Sequence, residues 1–246
     1  MYKRIRFALL ILTLCALFVP SAALAFPDAD GDGFDDVTQD LCLGDSAHGE
    51  TACSGILLGA NLTAPKDGSS TSVGIASVFY PTAIPGGTLS PLVNSVIVRW
   101  RIKNGNPVGA EYRLRVVKVL PLDTVQGIKT GPVLLGATGI DTIVRSGDTH
   151  VPIAPGETIG LQIPAGTDFF FRSTLGANFD ENDTDLPDGG TPGGVNLAWA
   201  DQVMMFSADI EPDADGDTYG DITQDLCTTD ATRHSACADV VGPTVS

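Results

Sequence analysis

The chain has 246 residues, 30 of them Asp or Glu against 14 Lys or Arg, and a formal net charge of −16 at pH 7. An acidic excess of this size argues against nucleic acid and anionic membrane surfaces as partners. It suits a protein that neutralises part of its own charge with divalent cations.

Residues 1–25 read as an export signal that is no part of the fold. Lys3, Arg4 and Arg6 form a positive segment, Phe7 to Val19 an apolar one, and Pro20-Ser21 precede the small-residue cleavage site Ala23-Leu24-Ala25. The apolar run is short for a membrane span, and no later stretch approaches the ~20 apolar residues a transmembrane helix needs. Cys15 follows Leu14, not the small residue of a lipidation site. The mature chain is therefore expected to begin at Phe26, with 11 basic residues against 30 acidic ones, a net −19, and to be secreted, extracellular or held at the cell surface.

An acidic segment follows at once and returns near the other end. Pro27 to Cys42 reads PDADGDGFDDVTQDLC and Pro212 to Cys227 reads PDADGDTYGDITQDLC, identical at 12 of 16 positions. The expected organisation is a first arm over 26–55, a cysteine-free domain over 56–210, a second arm over 211–239, and a tail or the start of a further domain over 240–246. Each segment ends in a cysteine and meets another shortly after, which favours the local disulfides Cys42 to Cys53 and Cys227 to Cys237 in an exported protein. Zinc held by cysteines with His48 and His234 is the competing reading, although neither pair has CxxC spacing.

The middle is long enough for one well-buried domain and reads as strands: Val73–Tyr80, Ser95–Lys103, Ala110–Leu120, Val133–Ile143, Thr158–Ile163, Phe169–Arg172, Val195–Trp199 and Val203–Ile210. Asn104-Gly105-Asn106-Pro107 predicts a hairpin between two of them, and Pro85-Gly86-Gly87, Ser146-Gly147-Asp148 and Pro155-Gly156 mark further turns. Val96, Val98, Trp100 and Ile102 alternate with Arg99, Arg101 and Lys103, and Tyr112, Leu114 and Val116 with Arg113 and Arg115, one face core and the other wet. No window of a dozen residues keeps helical periodicity without a Gly or Pro break. The expected class is all-β: an antiparallel, jelly-roll-like β-sandwich flanked by two irregular, disulfide-braced arms.

If the first two of those strands pair, Arg99, Arg101, Lys103, Arg113, Arg115 and Lys118 gather on one face, either as an anion or glycan platform or as an ordinary solvated face. Trp100 and Trp199 read as core. The run Asp180 to Asp185, followed by Leu186-Pro187-Asp188-Gly189-Gly190, reads as a mobile loop, with a third cation site as the alternative. Asn61-Leu62-Thr63 and Asn182-Asp183-Thr184 match the glycosylation sequon.

The two acidic segments carry the chemistry. Calcium takes six to eight oxygens, and an alternating D-x-D-x-D loop curls so that positions 1, 3 and 5 present carboxylates and position 7 a backbone carbonyl. In the first copy these are Asp28, Asp30, Asp32 and the carbonyl of Phe34, with Asp36 at position 9 and Asp40 beyond. In the second they are Asp213, Asp215, Asp217 and the carbonyl of Tyr219, with Asp221 and Asp225. The closing Glu of an EF-hand is missing, since Gln39 and Gln224 stand at position 12. Taken together these residues resemble thrombospondin type 3 repeats, D-x-D-x-D-G-x-x-D followed by an acidic residue and a cysteine. The form with TQD-x-C is similar to versions in secreted proteins of high-GC Gram-positive bacteria. The resemblance implies calcium-filled, disulfide-braced segments with little secondary structure, as found in secreted adhesion proteins, and covers only the two arms. Here the last Asp and the Cys come one residue late, and Thr218 replaces the turn glycine, which weakens the second loop.

The functional expectation is a secreted calcium-binding module, non-enzymatic, with a binding, adhesion or structural role and an extracellular glycan or protein as its ligand. The alternative is a glycan-active enzyme or lectin-like domain with accessory calcium arms. Outside the arms no residue is singled out as catalytic.

Overall fold

A computed structural model describes residues 56–72, 76–103, 109–136 and 143–237. The expected export signal, the expected first arm with Asp28, Asp30, Asp32, Phe34, Asp36 and Asp40 and its expected Cys42 to Cys53 pair, the turn expected at Asn104 to Pro107 and the tail lie outside the described residues. Those described form thirteen strands: β1 Ile56–Gly59, β2 Gly68–Thr71, β3 Ala76–Ala83, β4 Ser95–Lys103, β5 Glu111–Leu120, β6 Thr124–Leu135, β7 Ile143–Arg145, β8 Val151–Ile153, β9 Thr158–Pro164, β10 Asp168–Asn182, β11 Gly193–Gly194, β12 Leu197–Met204 and β13 Phe206–Pro212. No helix occurs among the described residues.

The strands build an antiparallel β-sandwich. The smaller sheet is ordered β1-β13-β4-β7, with β8 sharing the β4 edge. The larger runs β11-β6-β5-β9-β3-β10-β12, with β2 beside β10. Between them lies one apolar core. Leu58, Ile97, Trp100, Ile102, Phe206 and Ile210 come from the smaller sheet, and Phe79, Tyr112, Leu114, Leu161, Phe169 and Phe179 from the larger. The alternation in the strand sequences places these groups on inner faces, and burying them drives the two sheets together. Trp199 stacks on Phe179 with ring centroids 5.4 Å apart, so both tryptophans belong to the core and its margin.

Four expectations require correction. First, β4 and β5 do not form a hairpin. β4 pairs with β13, β7 and β8, whereas β5 pairs with β6 and β9 in the opposite sheet. The six basic residues are therefore divided between the two sheets. Second, β4 has no wet face, because all nine of its residues are buried, Arg99, Arg101 and Lys103 included. An irregularity in the ladder opposite Asp209 and Ile210 shifts the strand's phase. Ile97, Trp100 and Ile102 enter the core, while Val96 and Val98 are buried outside it. Arg101 pairs with the buried Asp209.

Third, the strand expected over Val133–Ile143 is β6, which starts nine residues earlier and ends at Leu135, the residues 137–142 lying outside the description. β5 reverses into β6 through Pro121-Leu122-Asp123, with Leu122 and Asp123 at φ 65° and 52°. Two left-handed residues suit the twist of a tight hairpin, but with Leu in one of the positions the turn has no glycine signature.

Fourth, the acidic segment is no mobile loop. Asp180 to Asn182 complete β10, and the following residues form a strap across the outer face of the larger sheet. Leu186 is buried with Val78, Tyr80, Val117 and Val125. The Arg115 guanidinium donates to the Leu186 carbonyl, to Gln162 Oε1 at 2.7 Å and to Asp188 at 3.2 Å. Asp188 also accepts the Thr130 amide at 3.0 Å and hydroxyl at 2.7 Å. Gly127 lets the strap approach, since a Cβ there would strike the Leu186 carbonyl.

Candidate metal centre

The second arm leaves the smaller sheet directly from β13. Its first turn is wound by its own carboxylates. Asp213 accepts the amides of Gly216 at 2.8 Å, Asp217 at 3.1 Å and Thr218 at 3.2 Å, and Asp217 accepts that of Tyr219 at 2.7 Å. Short acidic side chains commonly close turns in this way. Gly216 takes φ 80°, and Thr218 takes φ 72° where the first copy has Gly33, a strained conformation for a β-branched residue.

A second turn follows, held by a group that sequence reasoning missed. Glu211, fully buried at the end of β13, accepts the amides of Ile222 at 3.1 Å and Thr223 at 2.9 Å and the Thr223 hydroxyl at 2.6 Å. Gly220 packs so closely on the sheet that a Cβ would meet Glu211 and come within 2.7 Å of Val98. The first copy carries Asp35 at the equivalent position, so the second arm has a docking surface built into its sequence. Gln224 adds a bond to the Thr149 carbonyl at 3.3 Å. The arm is thus fastened to β4, to β13 and to the segment before β8.

The chain then turns back through the Cys227–Cys237 disulfide, the expected local pair, so these sulfurs do not serve as zinc ligands. The loop so closed returns His234, whose carbonyl accepts the Leu226 amide at 3.0 Å and whose Nδ1 lies 2.6 Å from Asp217 Oδ2. Its ring stacks on Tyr219 with centroids 3.6 Å apart, and Tyr219 packs in turn on His150 at 4.2 Å.

Four of the six predicted ligands of this copy meet in two overlapping groups, one of which adds His234, and Asp221 belongs to neither. One ligand atom each from Asp213, Asp215 and Asp217 lie within 4.8 Å of one another, and so do those of Asp217, Asp225 and His234. Asp225 is only 2% exposed; Oδ1 takes the Cys227 amide at 2.8 Å and Oδ2 is buried without a partner. Asp215 Oδ2 is also buried and unpartnered. Asp221 accepts the Ala214 amide at 3.1 Å, and its carboxyl is pushed above the usual range, first by burial and then by Asp213, Asp215 and Asp225. Tyr219, expected for its carbonyl, adds its ring between the two histidines. Unpaired buried carboxylate oxygens are costly, and a divalent cation is the species that would satisfy several at once.

Compared with known proteins, the chain matches no family model, no curated protein and no solved structure. Its chemistry rests on its own geometry.

Two further polar features lie on the larger sheet. A cleft of about 420 Å³ is lined by Glu111, Arg113, Arg115, Thr130, Gln162 and Asp185. At the end of the core, Glu181 is 4% exposed beside Asp183, and burial, with Asp183 second, pushes its carboxyl up to about 7. Carboxyls within hydrogen-bond reach of each other are closer than the ~5 Å or more that separates the paired acids of glycosidases.

Proposed function

We propose that this protein is an exported, calcium-binding β-sandwich module of the cell exterior, with a binding, adhesion or structural role and with calcium ordering its two arms. The observation that carries the reading is the buried, unpartnered carboxylate oxygen of Asp215 within a loop that also gathers Asp213 and Asp217. Calcium is the cation that best fits an all-oxygen loop of this spacing. Glu211 and Gly220 join that loop to the sandwich, so filling it would set the direction in which the arm leaves the domain.

Calorimetry on the calcium-free mature chain tests this. Calcium uptake with Kd of ~10⁻⁴ to 10⁻³ M, the range of extracellular modules, is expected at two or more sites, and Asp215→Asn should remove one of them. No heat, together with no change in thermal stability at millimolar calcium, would refute it.

The polar cleft favours a lectin-like second reading, in which hydrogen-bonding side chains such as Arg113, Gln162 and Glu111 hold a glycan. A screen of extracellular glycans with wild type and Arg113→Ala tests it; equal binding by both would remove the cleft from consideration.

A further inference from the structure

We propose that the second arm has a second cation position, formed by Asp217, Asp225 and His234, that takes a borderline first-row transition ion of the zinc class rather than calcium. The proposal rests on reading the arm as a cation-binding loop and adds the identity of a second ion.

The donor set separates the two positions. Asp213, Asp215 and Asp217 offer oxygen alone, which suits a hard cation, whereas the other group adds an imidazole nitrogen. Imidazole favours zinc, copper and nickel, while calcium gains little from nitrogen. Around a tetrahedral zinc with bonds near 2.0 to 2.1 Å, neighbouring donor atoms stand about 3.3 Å apart. The present group lies within 4.8 Å overall, so enclosing such an ion requires the 2.6 Å contact between His234 Nδ1 and Asp217 Oδ2 to open and the wider separations to close.

Each donor is already held in place. Asp225 is anchored through Oδ1 by the Cys227 amide, leaving its buried Oδ2 without a partner. The Asp217 side chain is 1% exposed, and its Oδ1 takes the Tyr219 amide while Oδ2 faces His234. His234 is gripped on one face by Tyr219 and returned to the loop by the disulfide and by its own carbonyl. Its Nδ1 lies 2.6 Å from Asp217 Oδ2, so these two donor atoms already face each other. The His234 side chain is 41% exposed, which gives the ion a route in and a water its fourth position.

The test uses the mature full-length chain with its disulfides intact, saturated with calcium, and titrated with zinc by calorimetry and with cobalt(II) followed by visible absorption. Wild type should take up zinc without releasing calcium, cobalt should give a nitrogen-containing tetrahedral spectrum, and the His234 ring nitrogens should shift in NMR. His234→Ala should weaken this uptake at least tenfold and leave calcium binding within about twofold. His234→Phe, which keeps a ring on Tyr219 but has no nitrogen, should do the same and guards against a merely unfolded loop. Asp215→Asn should weaken calcium and spare zinc. Zinc uptake equal in wild type and both His234 variants, or zinc displacing calcium one for one, would overturn the proposal while leaving the calcium reading intact. Failure of both ions to bind would overturn the two together.

Discussion

Glu181 makes the stability of the sandwich depend on pH, and the size of the effect follows from where the residue sits. It pairs with Phe79 on β3 and stands two residues beyond Phe179, so its side chain shares the inner face with the core. Burial and the neighbouring Asp183 raise its carboxyl from the ordinary 4.5 to about 7. A carboxyl raised on folding binds more protons in the native than in the unfolded state, so its contribution is fully present below about pH 4.5 and is lost as pH rises through about 7. Integrating between those two values, the wild type should lose roughly 2 to 3 kcal/mol from pH 5 to pH 8 through this group. Glu181→Gln keeps the shape and hydrogen-bonding capacity of the protonated acid and removes the titration. Urea unfolding at fixed calcium, from pH 5 to 8, should show the variant gaining on wild type steadily as pH rises, by about that amount at the upper end. A constant difference between the two across the range would refute the reasoning and place the Glu181 proton elsewhere.

Thr218→Gly should relieve the left-handed strain at φ 72° and tighten calcium binding by about 1 kcal/mol, or several-fold in Kd by calorimetry; unchanged or weaker binding would mean that the loop is not strained there. Gly220→Ala should detach the arm by forcing a methyl group onto Val98 and Glu211, seen as faster hydrogen exchange over 213–225 with the sandwich unaffected; protection equal to wild type would refute the docking. Arg115→Met should cost about 2 kcal/mol by leaving the Leu186 carbonyl and Gln162 without their donor, and should open the strap to proteases near Asp188; an intact strap in limited proteolysis would count against this. Peptide mapping without reductant should join Cys42 to Cys53 alongside Cys227 to Cys237, and any link between the two arms would overturn the local pairing.

Much of the fold was legible from local patterning. β4 was delimited to the residue, β5, β9 and β13 to within one to three, and the β class followed from alternation with frequent Gly and Pro breaks. Misreadings arose where the decisive contact is distant in sequence. Asn-Gly-Asn-Pro is a sound hairpin signal, yet the strands on either side of it, β4 and β5, lie in different sheets. The Pro121-Leu122-Asp123 turn went unseen because the β5–β6 ladder imposes left-handed backbone on residues that do not advertise it. Asp183 to Asp188 look solvated in sequence, and contacts about 50 to 100 residues away, from Arg115, Thr130 and the Leu186 pocket, turn them into a strap.

The candidate site divides in the same way. The alternating carboxylates and the cysteine that closes the arm can be read directly from the chain, because residue spacing in a short loop is a local property. That Glu211 caps the arm, that Gly220 presses it onto β4, and that His234 returns beside Asp217 and Asp225 emerges only once the chain is folded. Each of these depends on which surfaces meet when the sheets close and the disulfide forms. Periodicity reports which side of a strand is apolar, but it does not say what will be packed against the other side.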